Sequence, residues 1–286
     1  MKTVLAMASC VVWLVVGSSG FRAAEVDRAS PPVNQEDESV TLTVVYDNRS
    51  GGEAITSGWG FACVVRGLEK TILFDTGADS EGLLSNMSAL GIAPDEVDLV
   101  AISHAHNDHA GGLEGFLDAR GAVPVYLLES FPASIAEAAR ERGCVVQEVT
   151  EPVTLCDGAR LTGELTGAAG IPEQSLILVT EGSAALVTGC AHPGIVEIVR
   201  ASNAISDGKV EMVVGGFHLM RETPESVGRV IVALRGEGVE LAAPCHCTGD
   251  GAIEAFRDAY GDCFVSCMAG TTIEISEMLG SARYDR

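Results

Sequence analysis

The chain has 286 residues, 47% of them hydrophobic, enough for one large domain or two small ones with a core that needs no metal to hold it. Its formal net charge is −22, a balance that repels phosphate backbones and argues against nucleic acid as a partner. An anionic substrate would need local positive charge here, and bound metal ions are the first source to consider.

The chain opens like an export signal. Lys2 is the basic start, residues 4–16 are apolar, and Ser18-Ser19-Gly20 supplies small residues for cleavage. The apolar run is short for a membrane span. The expectation is an exported protein, periplasmic or secreted, with no stable membrane span after cleavage; the alternative is an uncleaved N-terminal anchor. Residues 21–40 are polar, with Pro31-Pro32 and an acidic Glu36-Asp37-Glu38 cluster, and read as a disordered linker. A single domain is expected over 41–286.

Strands are expected over 41–46, 58–65 and 71–74, then a helix over 81–90 closed by Gly91. Residues 97–102 form an apolar run that reads as a buried strand. A helix from Gly111, a strand over 123–127, a helix over 133–142 and a strand over 144–149 follow. The stretch 153–166 reads as two short strands around Asp157-Gly158, and 175–179 with 184–188 as a hairpin around Glu181-Gly182. Beyond it, helices over 194–204, 224–235 and 251–260 alternate with strands over 210–214 and 239–243. Short strands are expected at Cys263 and Thr271. Early hairpins followed by strand–helix alternation point to α/β layering, with sheets inside and helices outside.

The chemistry concentrates at strand ends. Ser103-His104-Ala105-His106-Asn107-Asp108-His109 places three imidazoles and a carboxylate within six residues, directly after the apolar run at 97–102. Half of the chain's six histidines are in it. Imidazole with carboxylate suits Zn²⁺, Fe or Mn²⁺ better than Ca²⁺ or Mg²⁺. The other three histidines repeat the pattern: His192 follows the run ending at Thr188, His218 the run ending at Val214, and His246 the run ending at Ala243. A shared location at strand ends points to one shared site.

Eight cysteines follow the signal segment: Cys63, Cys144, Cys156, Cys190, Cys245, Cys247, Cys263 and Cys267. Several lie in apolar, strand-like runs, where a thiol is ordinarily buried and inert, so no disulfide framework is inferred. Cys245, Cys247, Cys263 and Cys267 offer a separate structural zinc site as an alternative, although Cys-x-Cys spacing is unusual for one.

Ser103 to Gly112 resembles the His-x-His-x-Asp-His signature of the metallo-β-lactamase superfamily, and Phe74-Asp75-Thr76-Gly77 resembles its upstream Asp motif. Three later segments are similar to one branch of it, the dihydropteroate-synthase-like proteins, which include ribofuranosylaminobenzene 5′-phosphate synthases. These are Thr188-Gly189-Cys190-Ala191-His192-Pro193-Gly194-Ile195, Gly215-Gly216-Phe217-His218-Leu219 and Pro244-Cys245-His246-Cys247-Thr248-Gly249. The resemblance implies an αββα four-layer sandwich with a metal site at one edge of the two sheets. It implies that His104 and His106 hold one ion, and that Asp108, His109 and His246 hold a second. Asp75 would orient a ligand or, like Asp108, handle a catalytic proton.

Two departures stand out. No histidine lies between His109 and His192, where most members carry one, and Cys190 stands where most have a bridging Asp. His192 and Cys190 are therefore added to the metal ligands, and His218 is expected to contact substrate or metal. The implied cofactor is one or two ions, Zn²⁺ first and Mn²⁺ or Fe next. The implied activity is a metallo-hydrolase, or a transferase-type enzyme, acting on a small and possibly phosphorylated substrate. The alternatives are a di-iron oxidoreductase and a non-catalytic metal-binding or sensing protein. Oligomeric state is not legible.

Overall fold

A computed structural model describes residues 39–284 except residue 181, and the side chains of 281–284 are left out as well. The expected signal segment, and the linker as far as residue 38, lie outside the described residues.

The elements run β1 (Thr41–Tyr46), β2 (Ala62–Arg66), β3 (Ile72–Phe74), α1 (Ser80–Ala89), β4 (Leu99–Ala101), α2 (Asn107–Ala110), α3 (Leu113–Arg120), β5 (Val125–Leu128), α4 (Ala133–Glu141) and β6 (Val146–Val149). There follow β7 (Val153–Cys156), β8 (Ala159–Leu161), β9 (Leu165–Thr166), β10 (Pro172–Glu173), β11 (Leu176–Thr180) and β12 (Ser183–Thr188). The chain continues with α5 (Ile195–Ile205), β13 (Lys209–Gly216), α6 (Pro224–Glu237), β14 (Leu241–Cys245), α7 (Asp250–Tyr260), β15 (Thr272–Glu274) and α8 (Ile275–Tyr284). The expected strand at Cys263 is instead a 3₁₀ turn, Gly261–Cys263. Its single bridge, Ala242 to Phe264, is too isolated to make a strand.

Two sheets carry the fold. One has the order β15-β1-β2-β3-β4-β5-β6 and the other β14-β13-β12-β11-β8-β7. Both begin as antiparallel hairpins and turn parallel where helices start to connect the strands: β3, β4, β5 and β6 in the first, β12, β13 and β14 in the second. A parallel pair needs a crossover, so helices cover both outer faces and the strands inside become uniformly apolar. β12, SAALVT, is buried at every residue.

Three apolar clusters define four layers. Val44, Phe74 and Ala101 of one sheet meet Leu178, Val187 and Val214 of the other in the middle. Leu83, Met87 and Phe116 from α1 and α3 cover the first sheet. Ile198, Leu234 and Phe256 from α5, α6 and α7 cover the second. This is the αββα sandwich. The carboxyl-terminal ends of β1, β3, β4, β12, β13 and β14 supply one edge of the sandwich, and every histidine of the chain follows β4, β12, β13 or β14.

The backbone is strained at that edge. Among the described residues, the non-glycine residues with left-handed backbone are Asp75 (φ 61°), Ala191 (φ 59°), His218 (φ 54°) and His246 (φ 50°). Each stands just beyond a strand end. Such conformations cost of order 1–3 kcal/mol and persist where the surroundings over-determine them, most often at functional sites.

Candidate metal centre

Five imidazoles, two thiols and a carboxylate converge at the sheet edge. Asp108, His109, Cys190 and His246 have ligand atoms within 4.8 Å of one another, and so do His104, Cys190 and His192. His109 Nε2 lies 3.2 Å from His246 Nε2 and 3.3 Å from Cys190 Sγ. Asp108 Oδ2 is 3.6 Å from His109 Nε2 and 3.4 Å from His246 Nε2. His106 joins through His104, its Nδ1 3.1 Å from His104 Nε2. Cys190 belongs to both groups.

The other ring nitrogen of each buried imidazole is already engaged. His109 Nδ1 lies 2.7 Å from Asp75 Oδ2, and His192 Nδ1 2.8 Å from Glu173 Oε2. His246 Nδ1 lies 2.9 Å from Asn48 Oδ1, and His104 Nδ1 2.9 Å from Ser103 Oγ. Four rings gripped at Nδ1 and aiming Nε2 inward is how a protein orients histidine for a metal. With their Nδ1 atoms donating to Asp75 and Asn48, His109 and His246 turn two Nε2 lone pairs toward each other, an arrangement that a metal ion between them would relieve. The donor set of imidazole, thiolate and carboxylate therefore fits a divalent ion of the Zn²⁺ type.

Electrostatics agree with that chemistry. Burial, reinforced by the charge of His109, brings His104 down to about 3; burial with the charge of His246 does the same for His109, also to about 3, so both rings are neutral donors at neutral pH. Burial opposes charge on Asp108, but the His246 contact and the charges of His109 and His246 outweigh it and hold the carboxyl well below its usual range. Asp75 goes the other way: burial pushes it up to about 7, against the pull of His104 and the Ser103 hydrogen bonds. A dication beside His109 would supply the missing stabilisation of the Asp75 anion.

The supports come from far along the chain. Asp75 sits at the end of β3, accepting from Ser103 N at 2.6 Å and Ser103 Oγ at 2.8 Å. It is fully buried behind His109. The approach is so close that a Cβ on Gly189 would fall 2.1 Å from Ser103 Oγ and 2.9 Å from Asp75 Oδ2, which is why glycine follows Thr188. Glu173 accepts from the backbone N–H groups of Cys190, Ala191 and His192 at 2.8–2.9 Å and thereby shapes the loop that carries both donors. Asp47 Oδ1 accepts from His246 N at 2.9 Å, and Asn48 Nδ2 donates to His246 O at 3.1 Å.

All the sequence-selected ligands are thus brought together. Sequence reading missed Glu173, Asp47 and Asn48, and considered Cys247 only for a separate zinc site. Glu173 carried one weak signal, a carboxylate three residues before the apolar run of β11 in the stretch that lacks a histidine. Asp47 and Asn48 carried only their place at a strand end. The eight described cysteines are free thiols. Among the described residues no donor group includes the exposed Cys263, so the separate four-cysteine zinc site does not form. Cys245 faces the inter-sheet core, whereas Cys247 turns toward Cys190.

A cavity of about 400 Å³ opens beside the centre, lined by Trp59, His218, Met220, Arg221, Glu222 and Cys247. Trp59 and Met220 are each 50% exposed, so the cleft offers apolar surface to a ligand. A second cavity, of about 460 Å³, is lined by Leu68, Cys156, Arg160 and Val179 at the other end of the second sheet and holds none of these donors.

Comparison with known proteins agrees with this geometry. The family described as "Metallo-beta-lactamase superfamily" matches residues 60–224. A 7,8-dihydropterin-6-methyl-4-(beta-D-ribofuranosyl)-aminobenzene-5'-phosphate synthase of Methanocaldococcus jannaschii is 30% identical over 251 residues, covering 73% of this chain and 85% of the relative. A crystal structure described as a metal-dependent hydrolase of the β-lactamase superfamily is similar with a TM-score of 0.70 at 26% identity, over 82% of this chain and 98% of that one. A metallo-β-lactamase fold protein of Bacillus subtilis gives a TM-score of 0.62 at 12% identity, over 82% and 99% of the two chains, a likeness of fold alone.

Proposed function

The chain belongs to the metallo-β-lactamase superfamily, and from that footing we propose that it is a metal-dependent hydrolase of a small anionic substrate, by preference a phosphorylated one. The observation that carries the reading is the set of inward-facing imidazole nitrogens, each fixed from behind, around the Cys190 thiol. His104, His106, His192 and Cys190 would hold one ion; Asp108, His109 and His246 would hold a second. Zn²⁺ suits this mixed donor set best. A bound divalent ion supplies Lewis acidity, polarising a phosphoryl or carbonyl oxygen and acidifying water.

The protein's own groups do the rest. Asp108 is the carboxylate of the set that keeps some access to solvent, its side chain 21% exposed. Held ionised, its Oδ2 is placed to take a proton from an attacking water. Asp75 has no route to substrate behind His109, so it acts as a positioning residue and the proton falls to Asp108. Arg221 brings a guanidinium to the cleft of a strongly acidic protein, a local charge suited to a phosphate or carboxylate. Trp59 and Met220 cover the apolar part of the substrate and keep water from it.

A second reading has a specific support: the relative at 30% identity is a synthase. The same centre could pass the activated group to a nucleophile other than water. One experiment addresses both. The purified chain, loaded with Zn²⁺, is assayed against phosphomonoesters, phosphodiesters and lactones, with products identified. Hydrolysis is expected, abolished in His106→Ala and reduced in Arg221→Ala through a KM raised about tenfold with kcat little changed. Metal-loaded protein that turns over only when a second organic substrate is added would replace hydrolysis with transfer.

A further inference from the structure

We propose a further metal subsite, built from Cys190, His218 and Cys247, that takes a soft divalent cation and opens on the substrate cleft. It is separate from the two histidine-rich groups, sharing with them only the Cys190 sulfur.

Four observations carry it. First, the ligand atoms of Cys190, His218 and Cys247 lie within 4.8 Å of one another. An ion bonded to sulfur at about 2.3 Å and to nitrogen at about 2.0–2.1 Å in tetrahedral array needs its donors roughly 3.3–3.8 Å apart, a contraction that side-chain rotation supplies. Second, the two strand ends that carry the new donors are tied together: Phe217 N donates to Thr248 Oγ1 at 3.0 Å and Met220 N to Cys247 O at 3.2 Å. His218 and Cys247 thus face each other from β13 and β14 by construction. Third, glycine at 216 lets the strand ends close on the thiol, since a Cβ there would lie 2.3 Å from Gly189 O and 2.7 Å from Cys247 Sγ. Fourth, His218 holds the same left-handed backbone as His246, although neither histidine-rich group uses it. Strain of this kind needs a reason, and delivering an imidazole to two sulfurs is one.

The chemistry fits an active subsite better than a structural one. Structural zinc is closed by four protein ligands, whereas catalytic zinc keeps three and an open position, Cys₂His being one such set. Here the three donors are backed by buried protein, but His218 is exposed and, with Cys247, lines the cavity beside Trp59 and Arg221. The open position faces that cleft. Two thiolates select against Mg²⁺, Ca²⁺ and Mn²⁺ in favour of Zn²⁺-like ions.

The test uses the full chain, stripped of metal and titrated with Co²⁺, reading equivalents bound and the thiolate-to-cobalt absorption. Cys247→Ser is expected to bind one equivalent fewer than wild type and to lose roughly half of that absorption, leaving the part due to Cys190. His218→Ala, at an exposed position where folding is not at stake, should lose the same equivalent. Wild-type stoichiometry and undiminished absorption in both variants would overturn the proposal. His106→Ala keeps the two readings apart: it should release histidine-held cobalt while the Cys247 contribution stays. Loss of cobalt in His106→Ala beside an unchanged Cys247→Ser would sink the thiolate subsite and leave the proposed hydrolytic centre standing.

Discussion

Asp75 Oδ2 lies 2.7 Å from His109 Nδ1, and neither side chain reaches solvent. A buried carboxylate that orients an imidazole in this way also raises its basicity as a ligand. Asp75→Asn keeps the shape but removes the charge and turns an acceptor into a donor toward His109 or Ser103. Metal affinity, measured by competition with a chromophoric chelator, should fall about 10- to 100-fold. Unchanged affinity would reduce Asp75 to a packing role.

Glu173 supports the other side. Its carboxylate receives three backbone N–H groups and one ring nitrogen. Glu173→Gln cannot satisfy all of them, because an amide has one acceptor oxygen. Each buried donor left without a partner costs about 1–3 kcal/mol, so a loss of about 2 kcal/mol or more is expected in urea unfolding. Metal content should also fall by one equivalent, the ion assigned above to His104, Cys190 and His192, while the ion assigned to Asp108, His109 and His246 should remain. A full complement of metal in the variant would detach Glu173 from the centre.

Asp79 sets a pH dependence away from the candidate metal centre. It caps α1, its Oδ1 accepting from Gly82 N at 2.7 Å while Oδ2 accepts from Tyr46 OH at 2.7 Å. The Gly82 N–H and the Tyr46 hydroxyl hold its carboxyl below the usual value, and Tyr46 is pushed up by burial and by Asp79. A folded pKa lower than the unfolded one gives stability that is present above the unfolded value of about 4 and lost as pH falls through the folded value. Asp79→Ala should cost about 0.5–2 kcal/mol at pH 7. The difference from wild type should shrink steadily below about pH 4, as the wild-type charge is neutralised. A difference that stays constant down to pH 2 would mean that the charge contributes nothing.

Much of the architecture was legible. β1, β7, β8 and the β11–β12 hairpin announce themselves as apolar runs bounded by turn residues, and the six histidines stand where such runs stop. The candidate metal ligands could be chosen because each follows a strand on its own sequence signal. Their supports could not. Asn48 reaches His246 across 198 positions, and no local pattern encodes a partner that tertiary packing delivers. Glu173 closes a two-residue strand, too short to show alternation. Cys247 was legible only as one of four cysteines offering a separate zinc site, and the 3₁₀ turn at His246–Thr248 instead carries its thiol to Cys190. Trp59 and Arg221 become neighbours only once three loops are in place.

The donors are divided between the two halves of the sandwich, with residues 104–109 hanging from the first sheet and Cys190, His192, His218 and Cys247 with His246 hanging from the second. An ion here is therefore a rivet across a seam. Starving the protein of metal should loosen that one edge while the far edge stays shut, so amide exchange ought to quicken in residues 103–110 and 189–192 before anywhere else. The arrangement also divides what evolution can alter freely from what it cannot. The segments around Trp59 and 217–222 can be recast to admit new substrates, but any slip of one sheet over the other would pull the rivet out.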